Sequence, residues 1–154
     1  MFRTLRLYRV IGPWPGDEER LSEALAQKAF RPCSALSERS AGWEPPGAQG
    51  DATTADASGF RLARTLAGAT LLELRTQVRV LPAAAVKEAL AEREEDYRRR
   101  MGQAPPARER RRLREETRTE LLPKALVQSS RTRGCVLNAE RLLLVDATAP
   151  ARAE

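Results

Sequence analysis

The chain has no histidine, which removes both the usual general base near neutral pH and the commonest side-chain metal ligand. Its two cysteines, Cys33 and Cys135, form no CxxC pair. They build neither a structural zinc site nor the dense disulfide framework of small secreted domains, and they read as small core residues. Large apolar side chains are scarce: 25 of the 64 hydrophobic residues are alanine, and Leu, Ile, Val and Phe together number 31 of 154. That fifth of the chain lies near the compositional border with disorder, so the core is expected to be thin or completed by a partner. No apolar run reaches membrane-spanning length. The N-terminus alternates Phe2, Arg3, Leu5, Arg6, Leu7 and Arg9 rather than offering a signal-peptide stretch, so the expected location is cytoplasmic, without a membrane partner.

Chemistry-bearing motifs are equally sparse. There is no glycine-rich phosphate loop, nucleophile elbow or paired acid–base arrangement. Glu94, Glu95 and Asp96 are consecutive, so on a helix they point in different directions and read as solvated surface rather than a metal site. Tyr8, Trp14, Trp43 and Tyr97 are too scattered to form a base-stacking platform and are expected in the core. These features read as a non-enzyme with no catalytic residues, metal or cofactor.

Against these absences stands one concentration of charge. Nine arginines and three glutamates lie between Arg98 and Arg118, a balance of +6 that equals the formal net charge of the whole chain. The arginines are Arg98, Arg99, Arg100, Arg108, Arg110, Arg111, Arg112, Arg114 and Arg118. Guanidinium groups bind phosphate oxygens in pairs and stay charged at any relevant pH, so such a focus is an expected footprint of nucleic-acid binding. Roughly six phosphate contacts on duplex DNA would give a log affinity against log salt slope of about −5. A plain surface helix is the alternative, with Arg111–Glu115 and Arg112–Glu116 pairing across one turn; an acidic protein partner is another. The 24 arginines beside three lysines are also what a GC-rich genome would produce.

Along the chain, residues 2–11 read as a strand. A helix follows, capped by Asp17, with Glu18 and Glu19 in its first turn and a stripe of Leu21, Ala24, Leu25 and Ala29, ending at Arg31 and Pro32. Residues 44–59 are rich in Pro, Gly, Ala and small polar residues and read as a flexible loop. Two strands, Phe60 to Leu66 and Thr70 to Leu81, join across Ala67, Gly68 and Ala69. In the second, Leu72, Leu74, Thr76, Val78 and Val80 alternate with Glu73, Arg75, Gln77 and Arg79, predicting one dry and one charged face.

Residues 82–122 read as a basic helical hairpin. Pro82 opens the first helix, with Val86, Leu90, Arg93 and Tyr97 on one stripe, and Gly102, Pro105 and Pro106 break it. The second carries Leu113, Thr117 and Leu121, and the arginines cluster around the tip. Strands return over residues 126–137 and, after a turn near Asn138, as a buried run from Leu142 to Val145. Pro150 to Glu154 looks like the opening of a further helix, so the chain reads as cut short there. The expected fold is α+β, mainly antiparallel, with an N-terminal helix and a central basic hairpin, as a single region over 1–154.

Six segments then carry a family pattern: LRLYRV at Leu5–Val10, KAFRPC at Lys28–Cys33, GWEPPG at Gly42–Gly47, VLPAAAVKEAL at Val80–Leu90, ELLPKAL at Glu120–Leu126 and LLLVDA at Leu142–Ala147. In that order they resemble RdgC, the bacterial recombination-associated family, over its N-terminal half. The resemblance implies a nucleoid-associated protein that binds single- and double-stranded DNA with little sequence preference. It also implies a homodimeric ring around the duplex, and restraint of the RecA recombinase by competition for DNA. Leu126 stands where the family often has an aromatic residue, at a position the resemblance links to subunit contact, and Cys135 replaces a common tryptophan. The expectation is a DNA-binding, non-enzymatic protein that uses the nine arginines from Arg98 to Arg118. The alternatives are an interaction module for an acidic partner, or an inactive truncated fragment.

Overall fold

The computed structural model describes residues 4–14, 17–47 and 61–147. Residues 48–59 of the loop expected over 44–59, Phe60 at the start of its expected strand, and the helix opening at Pro150–Glu154 lie outside these residues. The fold is α+β. Six strands, β1 (Leu5–Arg9), β2 (Arg39–Glu44), β3 (Ala63–Leu66), β4 (Ala69–Val80), β5 (Leu126–Leu137) and β6 (Leu142–Asp146), make one sheet in the order β1-β6-β5-β4-β2, with β3 beside β4. The β1–β6, β3–β4 and β5–β6 ladders are antiparallel. Among the described residues three helices accompany them: α1 (Glu18–Ala26), α2 (Ala83–Met101) and α3 (Ala107–Leu121), the last running into a 3-10 turn at Leu122–Lys124.

The chain divides into two compact units. The first comprises residues 1–32, 40–77 and 129–154. Its core is Leu21 of α1, Ala63 of β3, Leu72 of β4 and Val136 of β5, with Trp14, Leu25, Trp43 and Leu143 packed around them. Asp17 caps α1 by accepting from the Glu19 N–H, and the two glutamates suit the positive end of the helix dipole. The helix ends at Ala26, before the expected Arg31. The backbone of Lys28 and Phe30 is taken up by β2, through Trp43 N–H to Lys28 O and Phe30 N–H to Trp43 O. Gly42 permits this approach, because a Cβ there would lie 2.4 Å from the Phe30 Cα. Sequence periodicity does not show β2, whose residues carry only one large apolar side chain, Trp43.

β4 departs from its expected polarity. Val78 and Val80 are exposed, whereas Glu73 and Arg75 are 2% and 4% exposed and Gln77 is also buried. The cause is a set of partners from other strands. Glu44, expected to begin a loop, is the buried last residue of β2; its carboxylate lies 3.7 Å from Arg75 Nη1 and also accepts from Arg131 Nε. Glu73 accepts from Gly47 N–H at 2.7 Å and from Arg133 Nε at 3.3 Å. The Arg75 guanidinium lies over the Phe30 ring, 4.6 Å from its centroid. Paired and hydrogen-bonded in this way, charges tolerate burial that would be prohibitive for single ions.

Cys135 is buried as expected, and burial pushes its thiol pKa up; Cys33 is only half-buried. Trp14 and Trp43 pack against the core, and Tyr8 and Tyr97 are half-buried. The second unit, residues 33–39 and 78–128, contains the helical hairpin. Gly102 ends α2 in the left-handed region at φ 71°, its N–H bonded to Arg98 O, and Pro106 precedes α3. No helix among the described residues is long and apolar enough to cross a membrane.

Candidate nucleic-acid interface

The hairpin holds the arginines by two sets of contacts. The inner face of α3 carries Leu113, Thr117 and Leu121; Thr117 is buried, and its hydroxyl is tied to Leu113 O at 2.6 Å. Ion pairs then join the two helices, Arg110 to Glu94 at 3.2 Å and Arg93 to Glu120. Arg93, expected on an apolar stripe, thus serves as a cross-hairpin tie.

The nine arginines fall into three groups. Five are engaged by acids: Arg98 by Glu95, Arg99 by Asp96, Arg110 by Glu94, Arg112 by Glu109 and Glu116, and Arg118 by Glu38 at 2.7 Å. Arg112 is held more firmly protonated than an ordinary arginine by its hydrogen bond from Nε to Glu116 and the nearby Glu109 charge. Arg100 Nε donates to Asp96 O, at the negative end of the α2 dipole where a cation is favoured. The third group is Arg108, Arg111 and Arg114, which are exposed and, among the described residues, make no ion pair. The expected Arg112–Glu116 pair forms, but the expected Arg111–Glu115 pair does not.

Spaced three apart, Arg108, Arg111 and Arg114 wind along the exposed surface of α3, Arg108 opposite the Leu113–Thr117–Leu121 stripe and Arg114 at its border. A row of guanidinium groups along an exposed helix side can engage successive anionic groups, as a phosphate backbone presents them. Sequence reasoning found the cluster but could not divide it. The partners that occupy Arg110 and Arg118 come from α2 and from Glu38, which is 80 residues away in sequence.

Among the described residues, no group of three or more His, Cys, Asp or Glu side chains could hold a metal ion. The candidate surface consists of arginine guanidinium groups carried by α2 and α3.

All 154 residues match a family model described as "Putative exonuclease, RdgC". The chain belongs to the RdgC family. It is 31% identical over 153 residues to the recombination-associated protein RdgC of Bordetella pertussis, covering 99% of this chain and 48% of that protein. The RdgC proteins of Pseudoalteromonas atlantica and Tolumonas auensis are likewise 31% identical with the same coverage. The chain thus spans about half the length of the curated relatives it matches, and those relatives are named for recombination.

Proposed function

We propose that this RdgC-family chain binds single- and double-stranded DNA without sequence preference through α3 and acts in recombination by competing with a RecA-type recombinase for DNA. The observation that carries the reading is the row of Arg108, Arg111 and Arg114, exposed and, among the described residues, without acid partners in a hairpin whose other arginines are mostly engaged. Family membership supports the recombination context, since the relatives are named recombination-associated proteins. Nucleoid association follows from DNA binding of this kind. Homodimerisation is part of the proposal, and the exposed Leu126, with Val127 beside it, offers apolar surface for it.

No hydrolytic step belongs to the proposal, although the family description mentions an exonuclease. Phosphate contacts confer affinity without base readout, so random sequences bind alike. Three contacts correspond to a salt slope of about −2.7, shallower than six would give.

The test is fluorescence anisotropy of a labelled random-sequence duplex titrated at several salt concentrations. Combined Arg108→Ala, Arg111→Ala and Arg114→Ala substitution should weaken binding to all sequences alike and flatten the slope by about 2.7. Arg98→Ala with Arg99→Ala, which removes two ion-paired arginines, should change the slope less. Unchanged affinity in the triple variant, with unchanged circular dichroism, would overturn the assignment to α3.

A further inference from the structure

In the first unit, β3 and the start of β4 turn a second set of side chains away from the core. Ala63 pairs with Leu72 inside the core, so the alternate pairs, Arg64 with Leu71 and Leu66 with Ala69, lie on the other face of the sheet. Glu73 follows Leu71 on that face. Arg133 of β5 joins them, since a Cβ on its neighbour Gly134 would be directed at Leu72 and Leu143 on the core side. Here lies a cleft of about 380 Å³, whose walls include Pro46, Arg64, Leu66, Leu71, Glu73 and Arg133.

The cleft joins an aliphatic wall to a cationic one. Leu66 is 63% exposed, and Leu71 and Pro46 are half-buried, a lining unlike the aromatic platforms on which nucleobases stack. Glu73 is buried and its carboxylate is occupied, one oxygen accepting from Gly47 N–H at 2.7 Å and the other from Arg133 Nε at 3.3 Å. That bond orients the Arg133 guanidinium through Nε and leaves its two terminal nitrogens for a ligand. Arg64 is exposed, and among the described residues its guanidinium makes no ion pair. Two guanidinium groups against one buried carboxylate leave a single surplus positive charge beside the leucines.

That surplus selects a monoanion with an aliphatic body. A carboxylate matches the paired donors of a guanidinium, and one negative charge balances the site. The volume is near the lower limit of ligand sites, room for about one large side chain with its terminal group. With Leu66 and Arg64 exposed, the cleft is open along the sheet face. A free acid of that size would keep much of its surface in water and gain little, whereas the last residue of a chain fills the cleft while the residues before it leave along the open side.

We propose that this cleft captures the C-terminal residue of a partner polypeptide, with an aliphatic last side chain against Leu66, Leu71 and Pro46 and the α-carboxylate on Arg133 and Arg64. Glu73 acts as a positioning residue by fixing Arg133. The inference goes beyond DNA binding by α3 and does not rest on it.

Fluorescence anisotropy of N-terminally labelled hexapeptides tests it, with peptides ending in leucine, isoleucine or valine, each as the free acid and as the C-terminal amide. At least one free acid should bind, and its amide should bind about tenfold more weakly, as expected for the loss of a charge-assisted hydrogen bond. Arg64→Glu, which changes an exposed side chain, should abolish the preference for the free acid. Leu66→Ser should weaken acid and amide alike, with circular dichroism unchanged in both variants. Three results would overturn the proposal: no binding of any free-acid peptide at millimolar concentration, equal binding of acid and amide, or a preference that survives Arg64→Glu. Octanoate that binds as tightly as the peptides would also overturn it, by assigning the cleft to a free acid. So would a labelled oligonucleotide that loses affinity in Arg64→Glu while the peptides do not bind, which would assign these arginines to DNA.

Discussion

The β4 arginine Arg75 and the α3 arginines are the same residue type put to opposite uses. In the first unit, Arg75 is buried on β4, with Glu44 of the neighbouring strand β2 and the Phe30 ring against its guanidinium. In the second, Arg108, Arg111 and Arg114 stand in solvent on a helix, with no acid paired to them among the described residues. Counting charge does not separate these cases; desolvation does. A buried guanidinium needs its partners to remain charged, so it fixes structure and has little capacity left for a ligand. An exposed one contributes little to folding and keeps its donors available. Between the extremes lie arginines such as Arg118, exposed but engaged by Glu38.

The largest effect that could break this contrast is expected at Glu44. Glu44→Ala removes the carboxylate shared by Arg75 and Arg131 and leaves a buried guanidinium short of a counter-charge, which typically costs about 3–5 kcal/mol. Urea denaturation followed by circular dichroism measures it, and a loss below about 1 kcal/mol would mean that the network is not structural. Gly42→Ala should come next, at about 2 kcal/mol, because the new Cβ meets the Phe30 backbone and pushes away the strand that carries Glu44. Its effect should be non-additive with Glu44→Ala, since both act on the seating of β2. Arg118→Ala is the exposed counterpart. Losing its pair with Glu38 should cost about 1 kcal/mol or less, with most of that removed by salt.

Much of this fold was legible wherever the deciding interaction is local. Asp17 before two glutamates marked the start of α1, Gly102 and the Pro105–Pro106 pair marked the gap between α2 and α3, and Ala67–Gly68 marked the β3–β4 turn, where both residues have positive φ. What failed depended on distant partners. β2 exists because Gly42 closes on Phe30, and no periodicity in its residues announces that. The alternation in β4 was read correctly as period two, but a two-residue period does not say which face is buried when Glu44, Arg131 and Arg133 arrive from other strands. The basic cluster was visible as composition, whereas the subset left available depended on Glu38 and Glu94, which only folding brings near.

The smallest effect, and the sharpest on how partial burial handles a charge, concerns Glu18 at the start of α1. Its carboxylate accepts from the Thr65 N–H and from Arg61, and the Thr65 hydrogen bond is the main cause of a pKa held below the usual carboxylate range, with desolvation opposing it. Because the folded-state pKa is depressed, the carboxylate's contribution to stability is complete above the unfolded-state value of about 4.3 and is lost as pH falls through the lower folded-state value. Glu18→Gln should therefore leave the acid limb of the stability curve slightly flatter below about pH 4 and make the difference from the unaltered chain largest near neutrality. Thermal unfolding from pH 3 to 7 checks this, and a difference that stays constant across the range would show that the ionised carboxylate is not what β3 holds.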